Sequence, residues 1–253
     1  MHRFASYDGT DLGYQIRGEG PPLVCLPGGP GRAAEYLADL GGLDKSRQLI
    51  LLDPRGVGLS ADPADPATFR VDRLVNDVEA LRVQLGLDRM DLLGHSAGAI
   101  LATLYAAAYP ERLSSLVLVT PGLAAVGIDD TEEEFRAALA QRATEPWYPA
   151  ALAARAHATV GIAERHAAAR SGYFADAALD PASTRAALAK LTVPVLLYAG
   201  DADPMVTPAV VRQAAPLFND ATVVVQPEAA HFPWIDDPAV FAAAVGSFLS
   251  QAS

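Results

Sequence analysis

The stretch Met90 to Ala107, M-D-L-L-G-H-S-A-G-A-I-L-A-T-L-Y-A-A, decides the fold. Met90 to Leu93 is a short, largely apolar run of the kind that forms a buried strand, and Ala99 to Ala108 is rich in good helix formers. No polar linker separates the two, so a tight turn joins strand to helix. That turn is Gly94-His95-Ser96-Ala97-Gly98, a Gly-x-Ser-x-Gly pentapeptide whose meaning depends on the strand-turn-helix setting. A strand that reverses into a helix within a couple of residues presses backbone against backbone, and a Cβ at either flanking position would clash. Ser96 is thereby set at the apex with its hydroxyl exposed, and the helix that follows aims its first N–H groups at any negative charge formed there. A Gly/Ser-rich turn can also be only a turn, so a chemical meaning for Ser96 depends on partners elsewhere in the chain.

Outward from this stretch, apolar strands alternate with helices. Upstream, Leu23 to Leu26 and Gln48 to Leu52 read as buried strands. Between them lie Pro27-Gly28-Gly29-Pro30-Gly31, which cannot be regular structure, and a short helix near 33–39. A glycine-punctuated loop, Asp53-Pro54-Arg55-Gly56-Val57-Gly58-Leu59-Ser60, follows the second strand. Residues 71–85 are amphipathic, with Val71, Leu74, Val78 and Leu81 on one helical face and Asp72, Asp77, Glu79 and Arg82 mostly on the other. Leu113 to Val119 is a further strand, and a hairpin turning at Asp8-Gly9 precedes the whole series. Fully apolar strands alternating with helices predict a parallel sheet covered on both faces.

The rhythm breaks at Thr120-Pro121-Gly122. Residues 125–190 hold no convincing strand; they are alanine-rich and helical, with Thr131-Glu132-Glu133-Glu134 resembling a capping box and Asp180-Pro181 opening the last helix. The sheet resumes at 194–199, a helix covers 209–217, a strand 221–226, and an amphipathic helix near 237–250 closes the chain. The expected architecture is an α/β core of residues 1–122 and 191–253. It carries an eight-stranded, mostly parallel sheet flanked by helices, with a small helical cap, residues 123–190, inserted after the sixth strand.

Bulk properties narrow the function. The 253 residues are 51% hydrophobic with a formal charge of −11, which supports a large core and argues against a nucleic-acid partner, since phosphate binding needs a basic face. The single cysteine, Cys25, sits in a buried strand and reads as a small hydrophobe. The first residues lack an apolar signal region and no run approaches a membrane span, so a cytoplasmic protein without membrane association is expected. No metal site is suggested: His157 and His166 are too far apart in sequence to share one helical face.

An activated serine needs a base within hydrogen-bond reach, a carboxylate to orient that base, and donors for the oxyanion. Of the five histidines, His2 lies on the first strand, His95 points to the wrong side of the turn, and His157 and His166 fall in cap helices. His231 lies in the loop after a buried strand, and a parallel sheet gathers such loops at the edge where Ser96 projects. Gly200-Asp201-Ala202-Asp203-Pro204 follows another strand at the same edge. Asp203, one residue deeper and held by Pro204, is the expected acid, and Asp201 is left to cap the next helix. Arg55 reads as a tie to neighbouring backbone carbonyls rather than as a substrate contact.

The order Ser96, Asp203, His231 is that of α/β-hydrolases. The chain resembles that superfamily over nearly its whole length and looks most like the proline iminopeptidase group. Gly28-Gly29-Pro30-Gly31 is similar to the group's H-G-G-P-G loop, and Asp53 to Ser60 to its D-x-R-G-x-G-x-S loop. The resemblance implies that Gly29 and Ala97 supply the oxyanion N–H groups. It departs at Pro27, where the group has His, and at Gly-His-Ser-Ala-Gly, where the group has Gly-Gly-Ser-Trp-Gly. The function expected is a cofactor-independent serine hydrolase cleaving a small ester or amide, including an iminopeptidase-like aminopeptidase acting on a short peptide. In that form, cap carboxylates such as Glu134, Glu145, Glu164 or Asp176 would grip the substrate amine. The alternative is a capped-pocket protein that binds a small ligand with little turnover.

Overall fold

The computed structural model describes residues 1–128, 166–203 and 205–252. Its strands are β1 (His2–Ala5), β2 (Asp11–Arg17), β3 (Pro22–Leu26), β4 (Gln48–Leu52), β5 (Met90–His95), β6 (Leu113–Val119), β7 (Val195–Gly200) and β8 (Ala221–Gln226). They form one sheet in the order β1-β2-β4-β3-β5-β6-β7-β8. The β1–β2 and β2–β4 pairs are antiparallel, and every pair from β4 through β8 is parallel. The described helices are α1 (Val71–Gln84), α2 (Ala97–Ala108), α3 (Ala167–Tyr173), α4 (Pro181–Leu188), α5 (Pro208–Ala214), α6 (Pro233–Asp236) and α7 (Pro238–Gln251). Among the described residues no helix is long and apolar enough to cross a membrane.

The near-continuous apolar strands are explained by two cores, one on each sheet face. Val24, Leu26, Ile50, Leu92 and Leu118 pack with α1 and α2, while their neighbours Leu23, Cys25, Leu49, Leu93 and Val117 pack with α7 through Phe241 and Val245. All six residues of β5 are buried, which places the strand at the centre of both layers. Burial also pushes the Cys25 thiol pKa up, so the thiol stays protonated there.

Part of the helix pattern differs from the amphipathic reading. Asp77 and Arg82, placed on the polar face of α1, are both buried. Asp77 receives Arg55 and the Ser6 hydroxyl, and Arg82 pairs with Glu79 at 2.6 Å and donates to the Leu87 carbonyl. A buried charge is tolerated where each polar group finds a partner, and no hydrophobic pattern can foresee such partners.

The segment between β6 and β7 is described at its two ends. Asp180 caps α4 by accepting from the Ser183 N–H at 3.1 Å, with Pro181 at the first helical position. His166 caps α3, its Nδ1 accepting from the Ala169 N–H at 3.1 Å, while its own N–H donates to the Gly31 carbonyl at 2.8 Å. The α3 helix therefore rests on the loop after β3. The remainder, 129–165, lies outside the described residues, and with it the capping box at 131–134, His157, Glu134, Glu145 and Glu164.

Candidate active site

The β5–α2 turn is as tight as its glycines imply. A Cβ on Gly94 would lie 2.5 Å from the Gly98 carbonyl oxygen, and one on Gly98 would lie 2.4 Å from the Leu26 carbonyl oxygen. Ser96 sits between them at φ 54°, ψ −120°, a conformation that L residues seldom adopt. Its N–H donates to Val119 O at 3.0 Å, and its carbonyl accepts from Ala99 and Gly122, both at 3.0 Å. These bonds clamp the turn on both sides and leave the half-buried hydroxyl facing the loops beyond β7 and β8.

Those loops bring His231 and Asp203 to it. His231 Nε2 lies 2.9 Å from Ser96 Oγ, and His231 Nδ1 lies 2.8 Å from Asp203 Oδ2. Asp203 is 1% exposed, and its second oxygen accepts from the Met205 N–H at 2.8 Å. With the carboxylate ionised, Nδ1 carries the ring proton and Nε2 is left to accept from the serine hydroxyl. Asp201 does not cap the next helix: Thr207 caps α5, its hydroxyl accepting from Val210 N at 3.4 Å. Thr207 lies six positions beyond Asp201, and it is the threonine that stands at the helix start.

On the other side of Ser96 stands the loop Pro27–Gly31. A Cβ on Gly28 would lie 2.7 Å from the Ser96 Cβ, so only glycine admits this approach. The Gly28 N–H is already used, donating to Tyr36 Oη at 2.6 Å. Gly29, at φ +135°, follows it in the loop, and Ala97 is the first residue of α2, where an N–H has no acceptor within the helix. The Ala97 carbonyl accepts from Tyr173 Oη of α3 at 2.6 Å. The 53–60 loop is tied to the same region: Asp53 accepts from Ala34 N at 2.7 Å and Leu59 N at 2.9 Å, and Ser60 Oγ donates to Asp53 O at 2.6 Å.

Arg55 is structural, but its partners are side chains rather than backbone carbonyls. It is fully buried, donates to both Asp77 oxygens at 2.7 and 2.6 Å, and reaches Asp8, Thr10 and Thr68 with its remaining amine. A hollow of about 30 Å³ beside it, walled by Pro27, Phe69 and Tyr173, has room for one or two waters and touches none of Ser96, His231 and Asp203. Of the four cap carboxylates, Asp176 alone falls in the described residues; it is exposed, and its carbonyl accepts from Arg70 at 3.1 Å. No group of three His, Cys, Asp or Glu among the described residues is placed to hold a metal.

A family model for the alpha/beta hydrolase fold matches residues 21–167. This chain belongs to the α/β-hydrolase fold family. Within the family it is similar to a proline iminopeptidase from Heyndrickxia coagulans, 38% identical over 112 residues that cover 44% of this chain and 39% of the relative. A proline iminopeptidase from Lactobacillus helveticus is 41% identical over 117 residues, covering 44% and 40%. The chain thus aligns with about two fifths of the length of these curated relatives. Among solved α/β-hydrolase structures, a proline iminopeptidase from Mycobacterium smegmatis superposes with a TM-score of 0.74 at 24% identity, covering 99% of this chain and 98% of that one. An esterase from a Rhodococcus species superposes with a TM-score of 0.76 at 24% identity, covering 100% and 99%. Likeness at this identity establishes the fold.

Proposed function

We propose that this chain is a serine hydrolase that cleaves a small ester or amide through an acyl-enzyme intermediate. The observation that carries the reading is the row Asp203–His231–Ser96, joined at 2.8 and 2.9 Å and ending on a hydroxyl held at a strained turn. In the proposed reaction Ser96 Oγ attacks the substrate carbonyl carbon as His231 Nε2 takes the hydroxyl proton. Asp203 stabilises the imidazolium, which then passes the proton to the leaving alcohol or amine. The Gly29 and Ala97 N–H groups receive the oxyanion; loss of one such donor typically costs on the order of 10²–10³ in rate. Water, deprotonated by His231, releases the acid product. The substrate is a small molecule or a short peptide; of the cap expected at 123–190, residues 129–165 lie outside the described residues.

The similarity to proline iminopeptidases over 44% of the chain supports an aminoacyl amide as one substrate class. In that form Glu145 and Glu164, outside the described residues, would meet the substrate's amine. The test compares wild type with Ser96→Ala on p-nitrophenyl esters, proline β-naphthylamide and other aminoacyl naphthylamides, together with labelling by a fluorophosphonate probe. Wild type is expected to turn over at least one class and to be labelled, and Ser96→Ala to do neither. Turnover or labelling retained by Ser96→Ala overturns the serine reading. Ester turnover without aminoacyl turnover removes the peptidase form.

A further inference from the structure

Beneath Ser96 the loops on its two sides are joined by a chain of hydrogen bonds. The Gly28 N–H lies 2.6 Å from Tyr36 Oη, Tyr36 Oη lies 2.6 Å from His95 Nδ1, and His95 Nε2 lies 2.8 Å from the His231 carbonyl oxygen. The proton positions follow from the acceptor at the far end. A carbonyl can only accept, so His95 Nε2 carries a proton. Burial, with the His231 imidazole beside it, holds the His95 pKa well below the usual histidine value, so the ring is neutral and Nδ1 presents a lone pair. Tyr36 must then donate its hydroxyl proton to Nδ1, and its oxygen accepts from Gly28. Every group in the chain is satisfied in this one arrangement.

The chain has no slack. His95 is 2% exposed, with its ring centroid 4.8 Å from that of Trp234, 5.3 Å from Phe232 and 5.6 Å from Tyr36. The Tyr36 ring is packed in turn under the Arg32 guanidinium at 4.8 Å. Thr120 Oγ1 adds a second hydrogen bond to the His231 carbonyl at 3.1 Å. Because successive side chains of a strand point to opposite sides, His95 lies under the turn whose next residue is Ser96. Pro27, which has no N–H to give, stands immediately before the glycine that Tyr36 holds.

We propose that Tyr36 and His95 are positioning residues for the hydrolysis proposed above. Their hydrogen-bond chain sets the main chain carrying the Gly29 N–H and the main chain carrying His231 at a fixed separation about Ser96. The proposal rests on the serine-hydrolase reading, and it assigns these two side chains a kinetic role rather than one in stability alone. An error of about 1 Å in such placement can cost on the order of 10²-fold in rate. Two residues that act through one strut should lose that rate once, not twice.

The experiment uses the full chain with Tyr36→Phe, His95→Phe, His95→Gln, the double variant Y36F/H95F and Ser96→Ala. It measures kcat and KM on p-nitrophenyl acetate, the rate of fluorophosphonate labelling, and Tm. Tyr36→Phe keeps the ring and removes the hydroxyl; kcat and the labelling rate are expected to fall about tenfold or more with KM within about twofold. The double variant is expected to be no slower than the slower single variant. His95→Gln, which keeps an N–H for the His231 carbonyl, should recover part of what His95→Phe loses. If His95→Phe does not fold, Tyr36→Phe and His95→Gln carry the test, and their losses must not multiply when combined. A Tyr36→Phe kcat within about twofold of wild type, or losses that multiply in the double variant, overturns the proposal while Ser96→Ala remains inactive. Turnover that survives in Ser96→Ala overturns the serine reading, and the positioning role falls with it.

Discussion

Asp203 and Asp77 are both buried carboxylates that grip a nitrogen base, yet the two regions around them are built to opposite ends. Around Asp77 every nitrogen of Arg55 has an acceptor: Nε and Nη2 on Asp77 itself, and Nη1 among Asp8, Thr10 and Thr68. Around Asp203 the base is a histidine with one nitrogen on the carboxylate and the other aimed at a serine hydroxyl at 2.9 Å. The first network is closed and can only hold the loops after β1 and β4 against α1. The second ends on the half-buried Ser96 hydroxyl, which the proposed reaction turns toward the substrate. A buried ion pair whose nitrogens all end on fixed acceptors belongs to the scaffold, while a row that ends on a half-buried hydroxyl is the arrangement the proposed chemistry uses.

The widest separation between the two regions is expected from substitutions at the carboxylates' functions. Asp203→Asn keeps the shape but offers His231 Nδ1 the wrong partner, so kcat should fall on the order of 10⁴-fold with little change in Tm. Measured kcat within about tenfold of wild type would place Asp203 with the scaffold and erase the contrast. Arg55→Met should do the reverse. It strands Asp77 in the interior at a cost of roughly 3–5 kcal/mol, read by urea unfolding, while kcat per folded molecule stays within about threefold. A variant as stable as wild type but slow would show that the closed network reaches the reaction.

The smallest effect concerns acid. Burial works to raise the Asp8 pKa, but the hydrogen bonds from Arg55 and Thr10 outweigh it and bring the value to about 2, below the ordinary 3.8. A folded-state pKa below the unfolded one means that the ionised group stabilises the fold above about pH 4, and that this contribution is lost as pH falls from there through about 2. Asp8→Asn should therefore show a shallower loss of stability over that window than wild type in urea titrations at successive pH values. Parallel slopes would mean that Asp8 is not held by Arg55 in solution.

Much of the fold was legible because it rests on local and periodic rules. The apolar runs at 23–26, 48–52 and 113–119, and the glycines flanking Ser96, respond to burial and steric exclusion, which leave their mark residue by residue. The nearness of Ser96, Asp203 and His231 followed from a parallel sheet, which delivers the loops after its strands to one edge. The side of α1 occupied by Asp77 was not legible, since its partners Ser6 and Arg55 come from distant parts of the chain. Tyr36 was missed for the same reason. It lies in a short 3₁₀ turn, Ala34–Leu37, and nothing in its neighbourhood marks a hydroxyl that meets Gly28 and His95. The occurrence of His before Ser96 was the one available signal, and its side of the turn was inferred without its partner.

By itself, the sequence determined the sheet, the order of the loops along its edge and the residue types that meet there, because these follow from hydrophobic period, turn sterics and chain direction. Only the tertiary structure decided which polar groups are spent and which are free. It closed Arg55 onto five acceptor atoms, gave the cap of α5 to Thr207 instead of Asp201, and set Tyr36 and His95 beneath the turn. Hydrogen bonds are short and directional, so a partner far along the chain is fixed by packing to within an ångström and by nothing in the local sequence.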